Sequence, residues 1–95
     1  MASREQALTL ALSDISSEIE SARLRIWNIL RRGGPGGTNS SIKEQIESER
    51  AILRYSYKNR AVVYRELGLR GLSDEDYDAA SKLDDESEFY QRFLK

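Results

Sequence analysis

Residues 33–37, with the sequence GGPGG, constrain the fold of this chain more than any other stretch. They contain four glycines and the only proline of the 95 residues. In the interior of a helix, glycine costs about 1 kcal/mol and proline about 3 kcal/mol relative to alanine. A helix therefore cannot continue through this stretch, whereas both flanks are free to be helical. We expect residues 33–40 to form a turn between two helices.

The segment before the turn carries apolar residues at the spacing of a coiled-coil seam. Alternate steps of four and three residues separate Leu8, Leu12, Ile15, Ile19, Ala22, Ile26 and Ile29. This spacing places one apolar stripe against a neighbouring helix. Ser3 and Gln6 have the spacing of a capping box, which marks the start of a helix. We predict a first long helix over residues 4–32.

A second helical pattern follows the turn. Ser41 and Glu44 again have the spacing of a capping box. Gly68 is a suitable C-terminal stop, so we predict a second helix over residues 41–67. A short connection between two long helices makes them antiparallel neighbours. The apolar stripe of this second helix consists of Ile42, Ile46, Leu53, Tyr57, Tyr64 and Leu67.

Two charged residues, Glu49 and Arg60, interrupt the stripe of the second helix. Arg23 of the first helix is a candidate partner for Glu49. A partner chain is the alternative, because polar residues in a seam often set register and oligomeric state. Ordinary partial exposure is equally compatible with the sequence.

The C-terminal part of the chain, residues 72–95, is acidic. Residues 71–95 contain three Lys or Arg and eight Asp or Glu, whereas residues 1–70 contain twelve and eight. We predict that Ser73 caps a short helix over residues 74–83. A last short helix would carry Phe89, Tyr90, Phe93 and Leu94.

These patterns predict an all-α fold in a single domain of residues 1–95. Its main element is a long antiparallel two-helix hairpin, coiled-coil-like, followed by one or two short C-terminal helices. Residues 72–95 form the acidic tail of this domain.

The composition argues against catalysis. The chain has no cysteine and no histidine, so disulfides, thiolate metal sites and the commonest general acid/base are all absent. We expect a two-helix hairpin to offer no concave apolar pocket for tuning a pKa. Asp74, Asp76 and Asp78 alternate like the start of a calcium loop, but the required glycine and glutamate are missing. We therefore expect no enzyme, no cofactor, no metal and no small-molecule substrate.

The sequence also bears on location. No apolar run reaches the roughly 20 residues of a membrane span. The N-terminus lacks the pattern of a secretory signal. We expect a soluble protein without a membrane partner, cytoplasmic or part of a particle.

A basic stripe on the second helix is one unusual surface. At about 100° per residue, its members fall within a narrow arc beside the apolar seam. This stripe could contact the phosphate backbone of RNA or DNA, or an acidic partner such as the chain's own tail. It could also be a solvated face whose arginine stems shield the seam. The basic stripe consists of Lys43, Arg50, Arg54, Lys58 and Arg65.

Apolar residues off the seam form the other unusual set. Large apolar side chains gain on the order of 2 kcal/mol on burial, so something should cover them. The C-terminal aromatic residues, a second copy or another protein are the alternatives. We expect a non-catalytic protein–protein interaction module, an adaptor or small subunit of a larger assembly; the alternative is nucleic-acid binding. Virus particles and secretion machines contain subunits of this architecture, which is an analogy only. The off-seam set consists of Leu10, Leu24, Trp27, Tyr55 and Val62.

Overall fold

The computed structural model describes residues 3–33 and 40–84, with side chains for residues 3–31 and 44–84. Within these ranges the chain forms three α-helices and no strand: α1 (Arg4–Gly33), α2 (Ser40–Glu66) and α3 (Arg70–Asp84). The all-α prediction is confirmed for this part of the chain. The first two helices match their predicted bounds to within one residue at each end. The centre of the predicted turn and the predicted last helix lie outside the described residues.

The predicted capping box starts α1. The backbone N–H of Ser3 donates to Oε1 of Gln6 at 3.0 Å, and the N–H of Gln6 donates to Oγ of Ser3 at 3.1 Å. Each side chain thus satisfies a backbone donor that has no partner within the helix. The side chain of Ser41, which belongs to the second predicted capping box, lies outside the described ones.

The hydrophobic core lies where α1 and α3 pack on α2. Ile19 of the α1 stripe and Leu53 of the α2 stripe are both buried in it. Leu30 is buried, whereas Ile29, which the periodicity placed on the seam, is half-buried against the core. The buried cluster consists of Ile19, Ala22, Ile26, Leu30, Ile46, Leu53 and Leu83.

Ion pairs between α1 and α2 follow a reversed order along the two helices. Arg4, at the start of α1, pairs with Glu66 at the end of α2. Farther along α1, Arg25 pairs with Glu49 near the start of α2, with Nε to Oε2 at 2.8 Å. These ion pairs join two helices that pack closely against each other.

The end of α2 is a glycine-terminated turn, as predicted. Gly68 has φ of 80°. Its N–H donates to the carbonyl of Arg65 at 3.0 Å, and the N–H of Leu69 donates to the carbonyl of Tyr64 at 2.8 Å. These two bonds form a Schellman motif, which satisfies carbonyls at the helix end.

The predicted start of α3 is wrong. The helix begins at Arg70, directly after the turn, and the N–H of Ser73 already bonds to the carbonyl of Leu69 at 3.0 Å. Ser73 is therefore inside the helix and does not cap it. Its buried hydroxyl donates to the carbonyl of Ala61 in α2 at 2.8 Å. Ser73 thus links α3 to α2 through its side chain. Its local sequence does not distinguish this role from helix capping.

Gly68 and Gly71 provide a matched test of this turn. A Cβ at either position meets no atom within 4 Å, but only Gly68 has a positive φ. We expect Gly68→Ala to lower the free energy of unfolding by about 1 kcal/mol because of left-handed strain. Gly71→Ala should raise it by about 0.4–1 kcal/mol, since alanine favours a helix. Urea unfolding followed by circular dichroism measures both, and effects of the same sign would contradict the turn geometry.

Candidate functional site

Arg60 connects the three helices. Its guanidinium donates to Asp76 of α3 through two bonds, Nε to Oδ2 at 2.7 Å and Nη2 to Oδ1 at 2.8 Å. Its Nη1 donates to Oγ of Ser16 in α1 at 3.3 Å. The cation also lies over the rings of Tyr57 and Tyr64, at 5.4 and 5.7 Å from their centroids. The hydrogen bonds to Asp76 raise the pKa of Arg60 above its usual value, so the residue stays charged.

Glu49, the other charged residue in the predicted seam, pairs with Arg25. The prediction that Arg23 pairs with Glu49 is wrong. Arg23 and Arg25 are two residues apart on α1, so at about 100° per residue their side chains point in nearly opposite directions. Arg23 therefore lines a groove on the other side of α1. Arg25 also binds Glu18, with Nη2 to Oε1 at 2.9 Å. Its hydrogen bond to Glu49, and then that to Glu18, raise the pKa of Arg25.

A groove lined by both apolar and charged residues separates α1 from α3, and we call it the α1–α3 groove. Its volume is about 790 Å³. It exists because α1 and α3 pack on different faces of α2. Trp27 and Leu24 line it while remaining 48% and 61% exposed. A third helix, α3, thus adds a concave surface that the expectation for a two-helix hairpin did not include. The lining residues are Glu20, Arg23, Leu24 and Trp27 of α1, Leu53 and Tyr57 of α2, and Ala79 and Leu83 of α3.

A second groove, the α1–α2 groove, has a volume of about 730 Å³. Asp14 and Glu18 line it from α1, and Arg54 and Lys58 line it from α2. Tyr55 lines the same groove and is 69% exposed. This groove therefore has an apolar middle, with carboxylates on one helix and cations on the other.

The off-seam apolar set predicted from the sequence does not form one surface. Leu24 and Trp27 lie in the α1–α3 groove, and Tyr55 lies in the α1–α2 groove. Leu10 and Val62 are exposed, at 64% and 47%, and line neither groove. Helical periodicity shows that a residue lies off the seam, but the side on which a neighbouring groove forms depends on where α3 docks.

Two members of the basic stripe pair with carboxylates. Nη1 of Arg54 donates to Oδ1 of Asp84 in α3 at 2.7 Å. Arg50 pairs with Glu47 through Nη2 at 3.0 Å. Lys58 and Arg65 are exposed, and the side chain of Lys43 is outside the described ones.

The contribution of the Arg54–Asp84 ion pair to the stability of the fold depends on pH. The hydrogen bond from Arg54 lowers the pKa of Asp84 below the ordinary value of an aspartate. The folded-state pKa is thus depressed, so the pair stabilises the fold above the ordinary pKa of a carboxyl. That contribution is lost as the pH falls through the folded-state value.

No three carboxylates converge on a point where a cation could bind in the described part of the chain. Asp76 is engaged with Arg60, and Asp78 pairs with Lys82 at 3.0 Å. Two members of the alternation noted in the sequence, Asp76 and Asp78, are thus in separate ion pairs.

Comparison of the chain with protein-family models, curated proteins and solved structures gave no match. None of the helices among residues 3–33 and 40–84 has the length and apolar character of a membrane span.

The residues that sequence reasoning missed are those on the α2 and α3 sides of the α1–α3 groove. Tyr57 was assigned to the seam, and Ala79 and Leu83 carried no prediction of a site. Ala79 and Leu83 are four residues apart, which places them on one face of α3. That spacing is the only sequence signal for this wall, and it does not identify what the face contacts.

Proposed function

We propose that this chain is a non-catalytic protein–protein interaction module, an adaptor or small subunit of a larger assembly. In this proposal α1 and α2 form an antiparallel helical hairpin with a coiled-coil-like seam, and α3 packs across it. The α1–α3 groove receives an amphipathic α-helix of the partner. The observation that carries the proposal is the exposure of Trp27 and Leu24 on the wall of a groove with an apolar floor.

The shape of the groove favours a helix as its occupant. α1 and α3 flank α2, so a further helix laid between them would complete a four-helix arrangement. Leu53 and Tyr57 form an apolar floor, which suits one apolar stripe of the incoming helix. Glu20 and Arg23 line the groove from α1 and favour a partner that carries both signs of charge.

Trp27 supports a binding role on energetic grounds. Tryptophan is enriched among the residues that contribute most to binding free energy. Burial of a large apolar side chain such as Leu24 gains about 1.5–3 kcal/mol. Both side chains lie on the same wall, so one partner helix would bury them together.

The test uses Trp27 as its own reporter, because it is the only tryptophan of the chain. The tagged chain captures proteins from an extract of its source cells, and helical segments of each captured protein are made as peptides. A peptide that enters the groove should shift the emission of Trp27 to shorter wavelength. Leu24→Glu should weaken that peptide's binding at least about tenfold, the equivalent of 1.4 kcal/mol.

Leu10→Glu is the matched control, since Leu10 is on the same helix, equally exposed and outside the groove. It should leave peptide binding unchanged. Equal losses from Leu24→Glu and Leu10→Glu would refute the groove as the binding surface.

Two further outcomes would also contradict the proposal. Removal of residues 85–95, which include Phe89 and Phe93, would shift Trp27 emission without any partner if the chain's own segment fills the groove. Salt-sensitive binding of generic RNA or DNA would support the basic stripe as the functional surface. That binding should be lost with Lys58→Glu and Arg65→Glu and retained with Leu24→Glu.

A further inference from the structure

The outer face of α2 carries a second stripe at coiled-coil spacing, separate from the seam that packs against α1. Steps of four, three, four and three residues join its five members. Ile52 is 37% exposed, Tyr55 69% and Val62 47%. Three of its five members are apolar, and apolar residues at this spacing are the pattern by which one helix packs against another. We call it the outer stripe; it consists of Ser48, Ile52, Tyr55, Asn59 and Val62.

We propose that the outer stripe joins two copies of this chain, with the two α2 helices side by side and parallel. The two-fold axis runs along the helices, so each residue of the outer stripe faces its own copy. Tyr55 lies at the centre of the contact. The α1–α3 groove takes no part in it, so this inference is independent of the proposed function.

The charges on the two sides of the outer stripe favour a second copy of this chain as the binding partner. Asp14 and Glu18 lie on the α1 side of the α1–α2 groove, whereas Lys58 and Arg54 approach it from α2. Glu18 also pairs with Arg25, and Arg54 with Asp84. A surface with acids on one side and bases on the other is complementary to itself in one orientation, as a two-fold interface requires.

The same charges select the parallel orientation. Rotation about an axis along the helices exchanges left and right, so the acids of one copy face the bases of the other. Rotation about an axis across the helices leaves left and right unchanged, so acids would face acids. Asp14 and Lys58 also lie at similar positions along the helix axes, because Ser16, two residues after Asp14, contacts Arg60, two residues after Lys58. The parallel dimer therefore brings Asp14 of each copy to Lys58 of the other.

Asn59 adds a reason for a defined register. It is the only amide among the five residues of the outer stripe. A single asparagine in a seam favours a two-stranded, in-register pairing, because its amide is satisfied only by the amide of the other copy.

Cysteine cross-linking tests the orientation, since the chain has no cysteine of its own. Tyr55→Cys and Val62→Cys should each give a disulfide-linked dimer, with twice the mass of the 10.9 kDa chain. Leu10→Cys, equally exposed but off the outer stripe, should not. An antiparallel dimer centred on Tyr55 would give the opposite result at Val62: no self-linked dimer, but a dimer between Val62→Cys and Ser48→Cys.

Charge exchange tests the contacts across the axis. Sedimentation equilibrium of the unmodified chain should show a mass that rises with concentration from one chain to two. Asp14→Lys and Lys58→Asp should each weaken dimerisation about tenfold, because the two-fold axis doubles each loss. The double variant should restore it to within about twofold.

Three results would overturn the inference: a monomer at all concentrations, the antiparallel cross-linking pattern, or losses that add in the double variant. Leu24→Glu keeps the two proposals apart, since it should weaken partner binding at least about tenfold and leave dimerisation unchanged.

Discussion

Asp76→Ala is expected to lower the free energy of unfolding by about 3–5 kcal/mol, the typical cost of removing one member of a buried ion pair. The side chain of Asp76 is 6% exposed and that of Arg60 is 20% exposed. Without the carboxylate, the guanidinium loses both of its short hydrogen bonds to α3 while Tyr57 and Tyr64 still surround it. Urea unfolding followed by circular dichroism measures the loss.

Asp78→Ala is the matched control for this loss. Asp78 is 63% exposed and pairs with Lys82 one turn away on α3. Pairs of this kind contribute about 0.3–0.5 kcal/mol. If Asp76→Ala and Asp78→Ala cost the same, the Arg60–Asp76 pair does not hold α3 on α2.

The double variant Arg60→Met, Asp76→Leu separates the pair from its surroundings. Apolar residues of similar volume remove both charges, so neither is left buried alone. We expect the double variant to recover most of the stability lost in Asp76→Ala. A double variant less stable than Asp76→Ala would mean that the aromatic rings around Arg60 require the cation itself.

The two long helices could be predicted closely from the sequence because their signals are local. Glycine and proline exclude a helix wherever they occur together, and the capping box of Ser3 involves residues only three apart. The apolar repeat of α1 likewise depends on periodicity alone. None of these features requires knowledge of what lies on the other side of the seam.

α3 could not be predicted in the same way because the decisive contacts join distant segments. Ser73 has the local sequence of a cap, yet its hydroxyl bonds to Ala61 in α2. Arg60 looked like an interruption of the seam because its partner, Asp76, follows sixteen residues later. The α1–α3 groove exists only once α3 has docked, so no periodicity within α1 could indicate that Trp27 belongs to its wall.

Leu53→Ala is expected to lower the free energy of unfolding by about 3 kcal/mol, within the range for leucine in a packed core. Leu53 is 1% exposed, and it lies in the buried cluster to which all three helices contribute. Small domains have only about 5–15 kcal/mol of stability in total. A loss of this size should lower the melting temperature by more than about 10 °C, which calorimetry measures.

Leu10→Ala removes the same atoms from a side chain that is 64% exposed, so its effect should stay within about 0.5 kcal/mol. Leu53 differs from Leu24 as well, because it belongs both to the core and to the floor of the α1–α3 groove. Leu53 offers almost no surface to a partner, so Leu53→Ala should reduce stability and leave peptide binding unchanged at a temperature where the variant is folded, whereas Leu24→Glu reduces binding alone. A loss of peptide binding in folded Leu53→Ala would contradict this separation of the core from the binding surface.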